Sequence, residues 1–553
     1  MSAGMTEAGP ATAGAQRAPL AVAVSLHDCM WIVLCGALVA VALWPFQDTP
    51  FIDDWVYAWS VEHLLAGDGL RILDWSSHPN FAHVLWGALF CLPLGFSFVV
   101  LRFSTWVAAL LALCAFYLLL RELGVKRREA LFGVALLGLN PVFFMLSATF
   151  MTDVPFLAAS LWASYALVVA LERRSDGWLV AFAVLASVAS AVRVVAVVPP
   201  IAAALTLFLQ GGAWGRRPAR IVLAASPLAF LALLLLWGES HTVHVVDLSS
   251  VIGSPIFRRL YLAKSLPLLP ALTLKAVLCA AASLGIAVLP LSAALARRRT
   301  VLRALPIFGL LLALVALAAL MHVTWPAALD STFTWTYGEL GATQSLVAGK
   351  PSPLVPAAIG GGVTLLGLLS SALVLGVLRR RLRAPESFVA WSLAGQVGLL
   401  AILWLFYDRY LLALLPLLVA LVLSARPQLH RAAFTTVLAA FALLSVVGVR
   451  DHLAYNAALW QGVTLLREQG VPDSDIDAGY VVDGWLHFAR PEEAPRDIDG
   501  NAFFPWLTAP GGLLPYQIAN EPLPGWQIVD SVPFERWLGR SGSIYVLARA
   551  AEP

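Results

Sequence analysis

Charge is what this sequence has least of. Only 12% of its 553 residues are Asp, Glu, Lys or Arg, about half the share found in soluble domains, while 60% are hydrophobic. That shortage excludes a water-soluble globular chain, and a net charge of +3 supplies no basic surface for nucleic acid. Cysteine is scarce as well. All five (Cys29, Cys35, Cys91, Cys114 and Cys279) lie in or at the edge of apolar stretches, and no pair has metal-ligand spacing. Packing is their expected role, and the last quarter of the chain can form no disulfide although it is expected in an oxidising compartment. No internal repeat stands out, and the one compositionally biased stretch is the Ala/Gly-rich first fifteen residues, expected to be disordered. The N-terminus lacks the marks of a secretory signal: Cys29 to Phe46 exceeds a typical apolar signal core, and no small-residue cleavage site follows. It is expected to be a retained first span.

Long uncharged runs are what the chain has instead. Cys29 to Phe46, Ala304 to Met321 and Leu354 to Leu378 carry no charge, and about 20 apolar residues cross the hydrocarbon core as a helix. Helices satisfy their own backbone polar groups there, so these runs are expected to be helical. Basic clusters punctuate them at Arg121/Lys126/Arg127/Arg128, Arg173/Arg174, Arg216/Arg217/Arg220, Arg297/Arg298/Arg299/Arg303, Arg379/Arg380/Arg381/Arg383 and Arg426/Arg431, which is 19 of the 36 Lys and Arg. The intervening loops hold only Arg71, Arg258, Arg259, Lys264, Lys350 and Arg409. The positive-inside rule puts the first set in the cytoplasm and the second outside.

Parity then constrains residues 79–120. They hold two apolar stretches between an outside loop and a cytoplasmic cluster, so one stretch must not cross. The reading adopted makes 79–95 interfacial or re-entrant. About thirteen spans follow, near 29–46, 98–120, 129–148, 154–171, 177–195, 197–211, 220–237, 268–294, 303–323, 353–378, 386–406, 410–425 and 431–449. The fold class expected is an all-α polytopic membrane protein with a small C-terminal α+β domain outside the membrane. The layout is 1–20 disordered, 21–450 transmembrane with juxtamembrane helices in 47–97, and 451–553 extracytoplasmic. That last segment carries 14 acidic and 6 basic residues; GYVVDGW, WQIVDSV and SIYVLARA read as strands and NAALWQGVTLLREQG as a helix. Preference for Arg over Lys and abundant Ala fit a high-GC bacterium, hence an inner membrane with the N-terminus cytoplasmic.

Ionisable residues at the membrane boundary are few, so their positions inform. Asp53 and Asp54 precede an amphipathic stretch, Trp55 to Leu65, suited to the membrane surface. Asp153, in SATFMTDVPF, stands at the mouth of the fourth span. Two carboxylate positions on one face could supply a base and a second polar group for one reaction. The competing reading is that Asp54 and Asp153 cap helices, where Asp is favoured.

FIDDWVYAWSVEHLL, SSHPNFAHVLWGALF, LRFSTWVAALLA, FMTDVPF and FYDRYLLALLPLL follow one another in an order that resembles the GT-C glycosyltransferases, in their protein-mannosyltransferase and aminoarabinose-transferase branch. The likeness covers about residues 20–450 and is most specific in the first 160. It implies a polyprenyl-phosphate sugar donor, an essential Asp in the first outside loop, and a juxtamembrane helix after the His-Pro turn. Because the acidic pair is Asp-Asp, either Asp53 or Asp54 could be the base, and position in the motif favours Asp53. The family's frequent His/Lys-Pro-Pro is His78-Pro79-Asn80 here, so His78 is either a substrate-binding residue or a turn residue. The implied reaction is an inverting transfer at the outer face to a lipid, glycan or protein acceptor. A phosphate leaving group needs positive charge, and Arg102, Arg193 and Arg409 are the candidates, Arg409 having also a pairing with Asp408 open to it. No metal-ligand cluster is visible and no cofactor is named, a divalent metal being left open. The alternative class is a transporter or lipid flippase, which commonly carries inverted repeats and midplane charges. A catalytically dead scaffold or receptor is the third.

Overall fold

The computed structural model describes residues 18–73, 76, 80–243, 269–321, 347–349, 360–378, 381–402, 408–488, 514–538 and 541–549. The disorder expected for 1–20 falls mostly outside the described residues. The chain is mostly helical and divides into two units, residues 1–44 and residues 45–553. The first holds helix α1 (Ala18–Leu43), whose apolar stretch Leu26–Leu43 is long enough to span.

The second unit opens with α2 (Asp54–Ala66), strand β1 (Ile72–Leu73) and α3 (Phe81–Leu94). α3 is 14 residues long, about 21 Å, which falls short of a hydrocarbon core of about 30 Å. Its Val84, Gly87, Ala88 and Cys91 are buried while Leu85, Leu89 and Leu92 are exposed. α4 (Phe98–Glu122) starts cleanly because the Ser97 hydroxyl accepts the Val100 N–H. α5 (Arg127–Gly138), α6 (Pro141–Ser147), α7 (Asp153–Arg173), α8 (Asp176–Ser190), α9 (Val198–Gln210), the short α10 (Gly212–Gly215) and α11 (Pro218–Glu239) follow, and β2 (Thr242–Val243) pairs in parallel with β1. Then come α12 (Leu269–Ala287), α13 (Leu289–Leu295), α14 (Arg298–Leu320), α15 (Gly360–Leu375), α16 (Ala384–Ile402) and α17 (Leu411–Ser424).

Two segments expected as single straight spans are broken. α5 and α6 meet at 66° and α12 and α13 at about 75°. In each case proline begins the second helix: Asn140 caps it and Pro141 lacks the N–H that would continue the first, and Pro290 sits in the first turn of α13. Among the described residues six helices are long and apolar enough to cross a membrane, or eight if each bent pair is one span, and five shorter apolar helices accompany them. The chain is thus a multi-pass membrane protein, and the count of thirteen stays an expectation. Small residues pack α12 on α15: a Cβ on Gly285 would lie 1.7 Å from the Gly367 carbonyl, and Ser370 donates to the Gly285 carbonyl at 2.6 Å.

The last long helix, α18 (Arg431–Glu468), has 38 residues and runs about 57 Å. The boundary drawn at 450/451 falls inside it, so NAALWQGVTLLREQG continues the last span rather than starting a separate helix. Its far end buries Ala458, Leu459, Val463 and Leu466 against a four-stranded sheet. The sheet order is β3 (Ile476–Asp477), β4 (Tyr516–Ala519), β6 (Gly542–Arg549), β5 (Trp526–Phe534), with β3–β4 parallel and the rest antiparallel. WQIVDSV and SIYVLARA are therefore strands. GYVVDGW is not: it forms a helical turn, α19 (Tyr480–Asp483), continued to Phe488. Asp477 and Asp483 accept the Gly479 and Ala478 N–H groups, and these bonds coil the segment where hydrophobicity alone favoured a strand.

Candidate functional site

The loop that precedes α2 is held by two helices, α4 and α18. Asp48 accepts the Phe98 N–H at the start of α4 at 2.8 Å. From α18, Asn456 donates to the Thr49 hydroxyl and the Pro50 carbonyl, and Trp460 donates to the same carbonyl. From α4, Arg102 donates to the carbonyls of Gln47 and Thr49. Held this way, the loop tolerates a left-handed backbone at Ile52 (φ 59°), a conformation that a β-branched residue rarely adopts. The two acidic residues that follow have opposite environments.

Asp54 is fully buried. Its Oδ2 takes Arg102 Nη2 at 2.8 Å and Nε at 3.3 Å, and its Oδ1 accepts the Phe51 N–H. Burial pushes this carboxyl above its ordinary range, and Arg102 pulls against that shift. Arg102, expected among the phosphate-binding cations, is also fully buried and committed to Asp54 and two loop carbonyls. It fastens the loop.

Asp53 faces the other way. Its Oδ2 pairs with Arg409 Nη1 at 3.1 Å, and its Oδ1 accepts the hydroxyl of Tyr480. One helical turn along α2, burial together with the Asp53 charge pushes the Tyr57 phenol up to about 12, with Arg409 and Arg193 opposing. Asp153, the first residue of α7, pairs through Oδ1 with Arg193, which follows α8. The guanidinium carbons of Arg193 and Arg409 stand 5.6 and 5.9 Å from the ring centre of Tyr410. Capping explains neither Asp54 nor Asp153: the N-cap positions are Asp53 and Thr152, and neither makes a side-chain cap bond.

Asp153, Arg193, Arg409, Tyr410, Phe156 and Gln396 line a cavity of about 180 Å³. An adjoining, more apolar one shares Phe156, Gln396 and Ala413 with it and adds Ser160 and Ser392. The structure thus brings together four of the seven residues expected from sequence: Asp53, Asp153, Arg193 and Arg409. It sets Asp54 and Arg102 behind them, and His78 lies outside the described residues. Tyr57, Tyr410 and Tyr480 had not been anticipated. Tyr410 follows Arg409 directly, which could have drawn notice, whereas nothing local marks Tyr480. His83 is a further addition, stacked on Phe150 at 4.1 Å and edge-on to Tyr57 at 5.3 Å. Among the described residues no three of His, Cys, Asp and Glu converge as metal ligands.

No curated protein matches the sequence. Solved structures that align with it include ArnT from Cupriavidus metallidurans in the apo state, 15% identical, covering 95% of this chain and 100% of that one with a TM-score of 0.39. The same protein bound to undecaprenyl phosphate aligns at 14% identity, over 94% and 98% of the two chains, with a TM-score of 0.37. The S. cerevisiae protein O-mannosyltransferase Pmt1-Pmt2 complex bound to the sugar donor aligns at 18% identity and a TM-score of 0.29 over 38% of this chain, which spans only 32% of the yeast chain. Residues 77–237 match the family described as dolichyl-phosphate-mannose-protein mannosyltransferase. On the strength of that segment, under a third of its length, the chain resembles the GT-C membrane glycosyltransferases of the protein-mannosyltransferase branch.

Proposed function

We propose that the chain is an inverting glycosyltransferase that moves a sugar from a polyprenyl-phosphate donor to an acceptor outside the cytoplasm. The observation that carries this is the pair of ion pairs, Asp53–Arg409 and Asp153–Arg193, whose arginines flank Tyr410 at one cavity. Two arginines beside one cavity form a receptor for a phosphate, and their carboxylate partners balance their charge. The matched family takes its name from a polyprenyl-phosphate mannose, which supports that donor class.

In this reading the donor phosphate draws Arg409 and Arg193 toward its oxygens. Asp53 Oδ2 loses its cationic partner and becomes the acceptor for a proton. The acceptor hydroxyl then attacks the anomeric carbon, its proton passes to Asp53, and the bond from that carbon to the phosphate oxygen breaks. Both electrons of that bond leave with polyprenyl phosphate, whose charge the arginines meet as it develops. Asp153 orients Arg193. Asp54 and Arg102 hold the loop. The further layout proposed is a transmembrane region to about 450 and an extracytoplasmic region from 451 in a bacterial inner membrane, N-terminus inside. A role for His78 in substrate binding is part of the same proposal.

The test is to incubate the purified protein with radiolabelled polyprenyl-phosphate hexoses and pentoses and with membrane lipid, glycan and peptide acceptors. Transfer with release of polyprenyl phosphate is expected, and Asp53→Asn should slow it by about 10² to 10⁴. Turnover of that variant at the normal rate would move the base to another carboxylate. Vectorial movement of intact lipid with no bond cleavage would favour a flippase.

A further inference from the structure

Tyr480 and Asp53 are 427 residues apart in sequence, yet the phenol donates to the carboxylate. The turn that presents Tyr480 is tightly built. Gly479 stands at φ 82°, a conformation that side chains resist, and its N–H donates to Asp477 Oδ1 at 3.3 Å. Asp483 Oδ1 accepts the Ala478 N–H at 2.9 Å, and both carboxylates are buried. The turn is also clamped to the helices that carry the site. A Cβ on Gly484 would lie 2.3 Å from the Trp55 ring, Trp55 meets Tyr480 edge-on at 6.2 Å, and Trp485 meets Phe98 at 5.2 Å. These contacts and bonds fix where the Tyr480 ring stands beside Asp53.

We infer that Tyr480 is a positioning residue for Asp53, contributed by the segment after the last span. This rests on Asp53 being the base. Arg409 holds one carboxylate oxygen and is drawn away when a phosphate enters. Tyr480 holds the other throughout, so the freed oxygen keeps its direction toward the incoming hydroxyl. Arg409 and Tyr480 touch Asp53, Tyr57 feels its charge together with those of Arg409, Arg193 and Asp153, and Asp54 next to it is paired with Arg102.

Tyr480→Phe keeps the ring against Trp55 and removes only the donor. With a radiolabelled polyprenyl-phosphate sugar that the wild type turns over, kcat should fall about tenfold while the donor KM stays put. The acid limb of the pH–rate profile should move up by about one pH unit, because a hydrogen bond that favoured the charged carboxylate is gone. A merely structural role would leave that limb in place. Incorporating 3-fluorotyrosine at 480, a stronger donor of nearly the same size, should move the limb the other way and does not depend on the Phe variant folding. An unchanged kcat and pH profile in folded Tyr480→Phe, or a limb indifferent to fluorination, would overturn the inference even with Asp53→Asn inactive. Normal turnover in Asp53→Asn would instead remove the base reading and this inference with it.

Discussion

Asp54 and Asp53 are neighbours in sequence that should fail in opposite ways. Asp54→Asn keeps an acceptor for the Phe51 N–H but leaves the Arg102 guanidinium buried with only the Gln47 and Thr49 carbonyls. Two unit charges about 4 Å apart at an effective dielectric near 20 attract by about 4 kcal/mol. Removing one partner of a buried pair costs about 3 to 5 kcal/mol. Because the retained hydrogen bonds soften the loss, about 3 kcal/mol is the expected destabilisation. Asp53 and Arg409 are 21% and 14% exposed, so their pair is worth less to the fold, at most about 1 kcal/mol. Thermal melting of detergent-extracted protein, followed by tryptophan fluorescence, should therefore separate the two variants. Asp54→Asn should melt early and retain turnover in proportion to its folded fraction, whereas Asp53→Asn should melt like wild type and be nearly inactive. Reversing the charges, Asp54→Arg with Arg102→Asp, should not rescue the fold, because a carboxylate at 102 would face the two loop carbonyls. A stable but inactive Asp54→Asn would refute this division of labour and make Asp54 the chemical group.

Two further predictions test the frame around the site. In a cysteine-free background, cysteines replacing Lys126 and Arg217 should be shielded from an impermeant thiol reagent in intact cells and one replacing Glu468 should react. The reverse pattern would invert the proposed orientation. Asp483 is held well above its ordinary value of 3.8 by burial and by the Asp477 charge. The folded chain thus keeps a proton that the unfolded chain releases, so this stabilisation is full below about 3.8 and is lost as pH rises through the folded value. Hydrogen exchange over residues 476–488 should accordingly quicken between mildly acidic and mildly alkaline pH, beyond the intrinsic rate change, and Asp483→Asn should flatten that dependence. Identical profiles for the two proteins would show that Asp483 holds no proton in the folded chain over that range.

The local patterns did reach far toward the site. The expectation that 79–95 is no ordinary crossing rested on counting charges; α3 has 14 residues, the same length as α17, which was expected to cross. Asp53, Asp153, Arg193 and Arg409 were visible because an ionisable residue beside a long apolar run is costly and therefore sparse. Arg102 was visible for the same reason, and the structure buries it against Asp54: sequence marks a charge near the bilayer but cannot say whether a ligand or another side chain neutralises it.

What the sequence determined by itself is what depends on composition and near neighbours: a multi-pass helical protein, the positions of most of its helices, the strands β5 and β6, and a few carboxylates and arginines at the ends of apolar runs. Only the tertiary structure decided which carboxylate is locked away against Arg102 and which pairs with a cavity-lining arginine. Asp53 stands at the N-cap position of α2 and Asp54 is its first residue, and the side each one faces is set by Arg102 on α4, Arg409 just before α17 and the loop's bonds to α18. It alone also placed Tyr480 on Asp53, because a contact across 427 residues is made by the packing of a distant turn and leaves no local trace in the chain.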